Sequence, residues 1–193
     1  MARVSKQQME KNREEIIRVS SQLFRERGLD SVSVNDLMNA AGLTHGGFYG
    51  HFASKDELVA VACGHAFAQS GEQWQQADKQ DLRQLAEQYL TPRHRDNPAE
   101  GCPIAALLGD VAREPQVSPI SVAYIEGVKQ MLSRIDAASG QDSHPERPGD
   151  QALVHLALIA GALLLSRATK GDPLSGRFLE AAKQQLLADS SQP

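Results

Sequence analysis

The sequence predicts an all-α protein of about nine helices, with a small helical head joined through one continuous helix to a larger helical body. Three observations lead there. Apolar residues recur at helical spacing through most of the 193-residue chain. Glycine and proline fall between the periodic stretches, where helices stop and start. No run alternates apolar and polar residues as a half-buried strand would.

Taken in order, the first helix carries Ile16, Ile17, Ser20, Leu23 and Phe24 on one face, and Gly28 closes it. Residues 33–57 then encode two short helices around a glycine turn and the opening of a third. Ser33 is a natural N-cap, with Asp36 in the capping-box position. Val34, Leu37, Met38 and Ala41 repeat at helical spacing, and Gly42 is placed to end that helix in the left-handed region. Thr44 caps a second short helix expected to run through His51. Ser54 and Glu57 form another capping box, opening a helix from residue 55 into the 70s that carries Leu58, Val59, Ala62, Ala66 and Phe67 towards Trp74. The division into a head at 10–70 and a body at 71–193 therefore falls inside a helix.

In the body, helices are expected at 81–90, from Pro103 through Val111, and at 118–138, 150–170 and 173–188. The Pro-rich, charged segment 91–103 and the polar segment 139–150 read as loops. The helix at 150–170 is apolar nearly all round, with Leu153, Val154, Leu156, Leu158, Ile159, Leu163, Leu164 and Leu165. Such a helix is covered on both sides. The terminal helix covers one, and a second copy of the chain is expected on the other, close to Gly161 and the alanines beside it. A charge at Ala162 is then expected to oppose association. A wholly internal helix is the competing reading.

Charge is uneven: residues 1–55 hold a net +2 and the remainder a net −6. A mildly positive head on an acidic body suits approach to a polyanion, although chance asymmetry gives the same numbers. The two cysteines, Cys63 and Cys102, allow no disulfide framework and no paired zinc spacing. The N-terminus lacks the apolar core of a signal peptide, and the apolar run 152–165, interrupted by His155, is short for a membrane span. A soluble cytoplasmic protein without membrane, metal or cofactor is expected. No nucleophile elbow, Walker loop, dinucleotide glycine fingerprint or HExxH occurs, so no catalytic residue is assigned. Cys102 with His94, His144 or His155 leaves a small helical enzyme as the distant alternative.

Two short helices joined by a glycine turn form the helix-turn-helix that enters the DNA major groove. The run from Ile16 to Leu58 closely resembles the DNA-binding head of the TetR/AcrR family, over about a quarter of the chain. Leu23, Phe24 and Gly28 match the end of the family's long first helix. Ala41, Gly42, Leu43 and Thr44 match its turn, and Phe48, Tyr49, His51, Phe52 and Lys55 its exit. Met38 departs from the pattern, standing where members usually carry alanine, and is expected to space the two short helices apart. The resemblance implies a homodimeric regulator, most often a repressor, on a palindromic double-stranded DNA operator. A small-molecule effector releases it, and the last two long helices form a four-helix dimer interface.

Thr44 and His45, at the start of the reading helix, are the candidates for base contact. Gly46 and Gly47 permit close approach at a helical cost of roughly 1 kcal/mol per glycine against alanine. Tyr49, His51 and Lys55 match positions where the family contacts the DNA backbone, and Ser33 opens a helix whose N-terminus suits a phosphate. His51 reads equally as a packed histidine. Arg3, Lys6, Lys11 and Arg13 read as a basic arm or as a solvated face. Phe67, Trp74, Tyr89, Cys102, Leu107, Tyr124 and His155 are the candidates to line an effector cavity, each of them also a natural core residue. Cys102 opens a helix, whose dipole is expected to lower the thiol pKa. The Gly-Cys opening resembles the family branch that includes electrophile-sensing repressors of N-ethylmaleimide-reductase operons. A buried packing cysteine is the alternative there, and the expected role of Cys63.

Overall fold

The computed structural model describes residues 5–75, 81–140 and 147–189. Arg3 and His144 lie outside the described residues. Among those residues the chain is helical without strands: α1 (Lys6–Arg27), α2 (Val34–Ala40), a 3-10 turn (His45–Gly50), α3 (Lys55–Gln75), α4 (Leu82–Tyr89), α5 (Pro92–Asp96), a second 3-10 turn (Pro98–Glu100), α6 (Pro103–Val111), α7 (Pro119–Ala138), α8 (Asp150–Ala168) and α9 (Leu174–Asp189).

Two elements differ from expectation. The segment after Thr44 is a 3-10 turn and ends before His51. Two adjacent glycines weaken α-helical propensity there, and the tighter i to i+3 bonding suits so short a piece. The stretch predicted as a loop at 91–103 instead holds α5 and the second 3-10 turn. The Thr91 hydroxyl accepts from the His94 amide at 3.1 Å, and Pro92 and Pro98 each occupy a first turn, where the missing N–H costs nothing.

The head packs α1, α2, the first 3-10 turn and the start of α3 around Ile16, Phe24, Leu37, Met38, Phe48, Phe52 and Leu58, all essentially buried. Gly28 and Gly42 have positive φ (83° and 70°), as helix-ending glycines require. Met38 fits because Gly47 faces it: a Cβ at residue 47 would lie 3.6 Å from the Met38 methyl. In the body α3 packs chiefly along α7. The Phe67 ring occupies space that a Cβ at Gly127 would take, and it meets Tyr124 edge-on at 5.9 Å.

Helix α8 uses its buried face (His155, Leu156, Ile159, Ala162, Leu163, Ser166) against α6, α7 and α9. In the α8–α9 seam, Ser166 Oγ donates to the Ser175 carbonyl and Ser175 Oγ to the Ser166 carbonyl, each at 2.7 Å. Its other face is bare: Leu153, Val154, Leu164 and Leu165 are 46%, 61%, 37% and 48% exposed. Ala157 is exposed on the same side, and a Cβ at Gly161 would meet nothing. Ala162 points inward and is buried, one residue and about 100° away from Gly161, so the expectation that it faces a partner is corrected. The expectation that this run is too short for a bilayer is corrected too: α8 has 19 residues with a mean hydropathy of 1.6, enough by length and composition. Its packing is that of a core helix with one uncovered side.

Candidate DNA-binding head and effector cavity

Local capping sets the head. The Asp36 amide donates to Ser33 Oγ at 3.2 Å and the Ser33 amide to Asp36 Oδ2 at 2.9 Å. Hydrogen bonds from the Ser33 hydroxyl and amide hold the Asp36 carboxyl below its usual pKa. That carboxylate engages the Ser33 hydroxyl and amide, so the box caps the start of α2 from within the chain. Thr44 sits extended ahead of the 3-10 turn, and its hydroxyl makes no capping bond. Thr44, His45, Gly46 and Tyr49 are exposed, while Gly47 and His51 are half-buried. Tyr49 is 69% exposed, yet its ring is steadied edge-on against Phe48 at 5.2 Å. Lys55 donates from Nζ to the Leu29 carbonyl at 2.7 Å, which fixes the ammonium beside the turn and leaves two of its N–H groups for another acceptor. The Arg13 guanidinium lies 4.9 Å over the Phe52 ring.

The body holds a cavity of about 490 Å³ between α3, α4, α5, the start of α6 and α7, and a recess of about 170 Å³ that shares Trp74 and Arg134 with it. Trp74, Tyr89 and Cys102 line the cavity with Leu85 and Met131. Phe67, Leu107, Tyr124 and His155 do not. Phe67 and Leu107 are core. Tyr124 is turned away by the bond from its hydroxyl to the Ile104 carbonyl at 2.9 Å. His155 is buried in the α8–α9 seam, its Nε2 3.1 Å from Asp189 Oδ2.

Cys102 does not behave as its place at a helix start suggests. Its side chain caps nothing, and burial raises the thiol pKa despite the Tyr89 hydroxyl and the amides of Ile104 and Ala105 nearby. The Tyr89 hydroxyl, pushed well up by burial and by Cys102, interacts with that thiol but reaches full hydrogen-bond geometry with none of the described residues. Cys63 is buried under the head, its thiol pushed up to about 12 by desolvation.

Two residues outside the set predicted to line the cavity organise its wall. His94 Nδ1 lies 2.8 Å from the Tyr89 carbonyl, and the Cys102 amide donates to Nε2 at 2.9 Å. Only one neutral tautomer, protonated on Nδ1, satisfies both. Burial lowers the His94 pKa to about 4; the Tyr89 carbonyl opposes this and Arg167 adds to it. Gly101 gives the ring room, since a Cβ there would lie 2.8 Å from Nε2. The second is Arg25, a buried guanidinium in α1. It donates from Nε to the Ser21 carbonyl (3.0 Å), from Nη1 to the Gly101 carbonyl (2.8 Å) and from Nη2 to Gln69 Oε1 (3.0 Å). It joins the head to α3 and to the cavity rim. Asp110 makes a second tie, accepting from the Leu29 amide at 3.1 Å.

A pH effect follows from His94. An unfolded histidine takes up its proton near pH 6.5, whereas the folded ring resists until about pH 4. The unfolded state therefore binds more protons in that window, and stability falls as pH drops through it. The loss is on the order of 3 kcal/mol by pH 4. Thermal unfolding of wild type and His94→Gln between pH 7.5 and 4.5 checks it, the variant being expected to lose this part of the slope.

The head's sequence has a clear match elsewhere. Residues 16–62 match the family model described as bacterial regulatory proteins, tetR family. The HTH-type transcriptional regulator AcrR of Shigella flexneri is 40% identical over 60 residues, 31% of this chain and 28% of that protein. The HTH-type transcriptional repressor KstR2 of Mycobacterium tuberculosis is 40% identical over 52 residues, 27% of this chain and 26% of that protein. The head is thus that of the tetR family. The matched stretch spans little more than a quarter of these relatives' length. The TetR-family fold extends over the whole chain: reduced NemR of E. coli superposes with a TM-score of 0.71 at 20% identity, covering 91% of this chain and 95% of that one. A TetR-family regulator from Cytophaga hutchinsonii gives 0.70 at 21% identity over the full length of both chains.

Proposed function

We propose that the chain is a homodimeric transcriptional repressor that holds a palindromic double-stranded operator and releases it when a small organic effector fills the cavity. It acts as a cytoplasmic, non-enzymatic regulator. The observation that carries the reading is the segment Thr44–Tyr49, exposed at Thr44, His45, Gly46 and Tyr49, on a family-matched head mounted on a helix that runs unbroken to the cavity wall at Trp74. Thr44 and His45 read base edges. Gly46, whose Cβ would meet nothing in the chain itself, is there for close approach to DNA. Tyr49, His51 and Lys55 hold phosphates. The bare apolar face of α8, with Leu153, Val154, Leu164 and Leu165, pairs the protomers. An effector shifts occupancy only by its differential affinity for the two spacings of the heads, typically about 1–3 kcal/mol. Sensing through the Cys102 thiol is the weaker reading, because desolvation keeps that thiol protonated.

Selection of duplexes from a random pool tests the assignment. His45→Ala should change the preferred bases of each half-site while the half-site spacing persists. An unaltered motif would remove His45 from the base contacts.

A further inference from the structure

We propose that the cavity takes an organic carboxylate with an apolar body, its charge received by Arg134. The proposal deepens the effector reading above and rests on it.

Arginines that pack into this body are otherwise satisfied. Arg25 bonds to three acceptors, Arg167 donates to the carbonyls of Arg95 and His94 (3.1 Å each), and Arg95 pairs with Asp96 and reaches Ser175. Arg134, half-buried on the cavity wall near the end of α7, makes no hydrogen bond or ion pair with the described residues. A guanidinium offers five donors in a planar fork that matches a carboxylate bidentately, and a partly desolvated one without an acceptor is costly. The rest of the wall agrees with an anion. Arg93 adds a second positive charge, Glu100 is the one acid among the lining residues and is exposed, and His94 is neutral with both ring nitrogens engaged. Trp74, Leu85, Tyr89 and Met131 supply the surface for an apolar body.

The chain also makes room for this group. A Cβ at Gly71 would collide with the Arg134 guanidinium, so Arg134 rests directly on α3, the helix that carries the head. An anion that draws Arg134 towards the cavity therefore acts at the α3–α7 contact.

The test uses the full chain and a matched pair of probes, 4-phenylbutyrate and 4-phenylbutyramide, titrated calorimetrically. Trp74 is the only tryptophan, so its fluorescence reports occupancy of this cavity. The acid should bind about ten- to a hundred-fold more tightly than the amide, as a charge-assisted bidentate pair predicts. Arg134→Gln should erase the preference while leaving amide affinity unchanged, and Arg134→Lys should keep part of it. Equal affinity of wild type for acid and amide, a preference that survives Arg134→Gln, or no response of Trp74 to millimolar acid would each overturn the proposal. Operator binding separates this from the effector reading. Acid and amide that bind equally and both release operator would sink the carboxylate site alone. Arg134-dependent binding of the acid with operator affinity unchanged would uphold the site and sink its regulatory role.

Discussion

Ala157→Glu is expected to abolish operator binding without unfolding the protomer. Position 157 is exposed on the bare face of α8, between Val154 and Gly161, and glutamate is a good helix former, so the isolated chain tolerates it. In a two-fold pairing of α8 faces the same carboxylate enters an apolar interface twice, without a counter-charge. Burying unpaired charge costs several kcal/mol per site. Dimer affinity should fall by about a thousand-fold or more, since each 1.4 kcal/mol is a factor of ten. A separated head reads only half of a palindrome, so specific binding is lost with the dimer. Sedimentation velocity should give a monomer with unchanged helical circular dichroism. Ala162→Glu is the contrasting control, because that residue is buried in the protomer's own core and its replacement should unfold the chain. A dimeric Ala157→Glu protein with intact DNA binding would place the interface elsewhere.

Arg25→Met should lower stability and should uncouple the cavity from the head. The substitution keeps the buried apolar stem but leaves the Gly101 carbonyl and the Gln69 amide oxygen without their donor. Buried acceptors stripped of a charged partner cost about 2–4 kcal/mol in total. For a chain of this size that corresponds to a fall in Tm of roughly 5–15 °C. Gly101 precedes Cys102 on the cavity rim, so its bond to α1 is also a direct tie between rim and head. With that tie broken, a cavity ligand should change operator affinity less than in wild type, even at temperatures where the variant is folded. Unchanged Tm together with an unchanged ligand effect would show that Arg25 is not the connection.

The head was legible because its signals are local. Ser33 with Asp36 and the positive φ of Gly28 and Gly42 all act within a few residues, and sequence spacing captures them. The same holds for α3, whose apolar positions run straight from head to body. What stayed hidden depends on partners that spacing does not reveal. Arg25 is one more basic residue on a basic helix until Gly101, 76 positions away, accepts from it. His94 gains its fixed tautomer from the Tyr89 carbonyl and the Cys102 amide, which are near in sequence but which helical periodicity does not pair. Size and aromaticity chose Phe67 and Tyr124 as cavity candidates, but nothing in those side chains shows whether a ring faces space or another ring. Along α8, composition identified an unsatisfied face, whereas its phase was missed by one residue at Ala162.

Selection of binding sites from random duplexes by the wild-type chain bears most directly on the central claim. A two-fold dimer of these heads presents its reading segments to successive major grooves, about 34–36 Å apart. The enriched sequences should therefore form an inverted repeat with half-site centres about one helical turn apart. Affinity for them should fall steeply as salt rises. A folded, dimeric protein that enriches no motif, or only a single unrepeated half-site, would contradict the account.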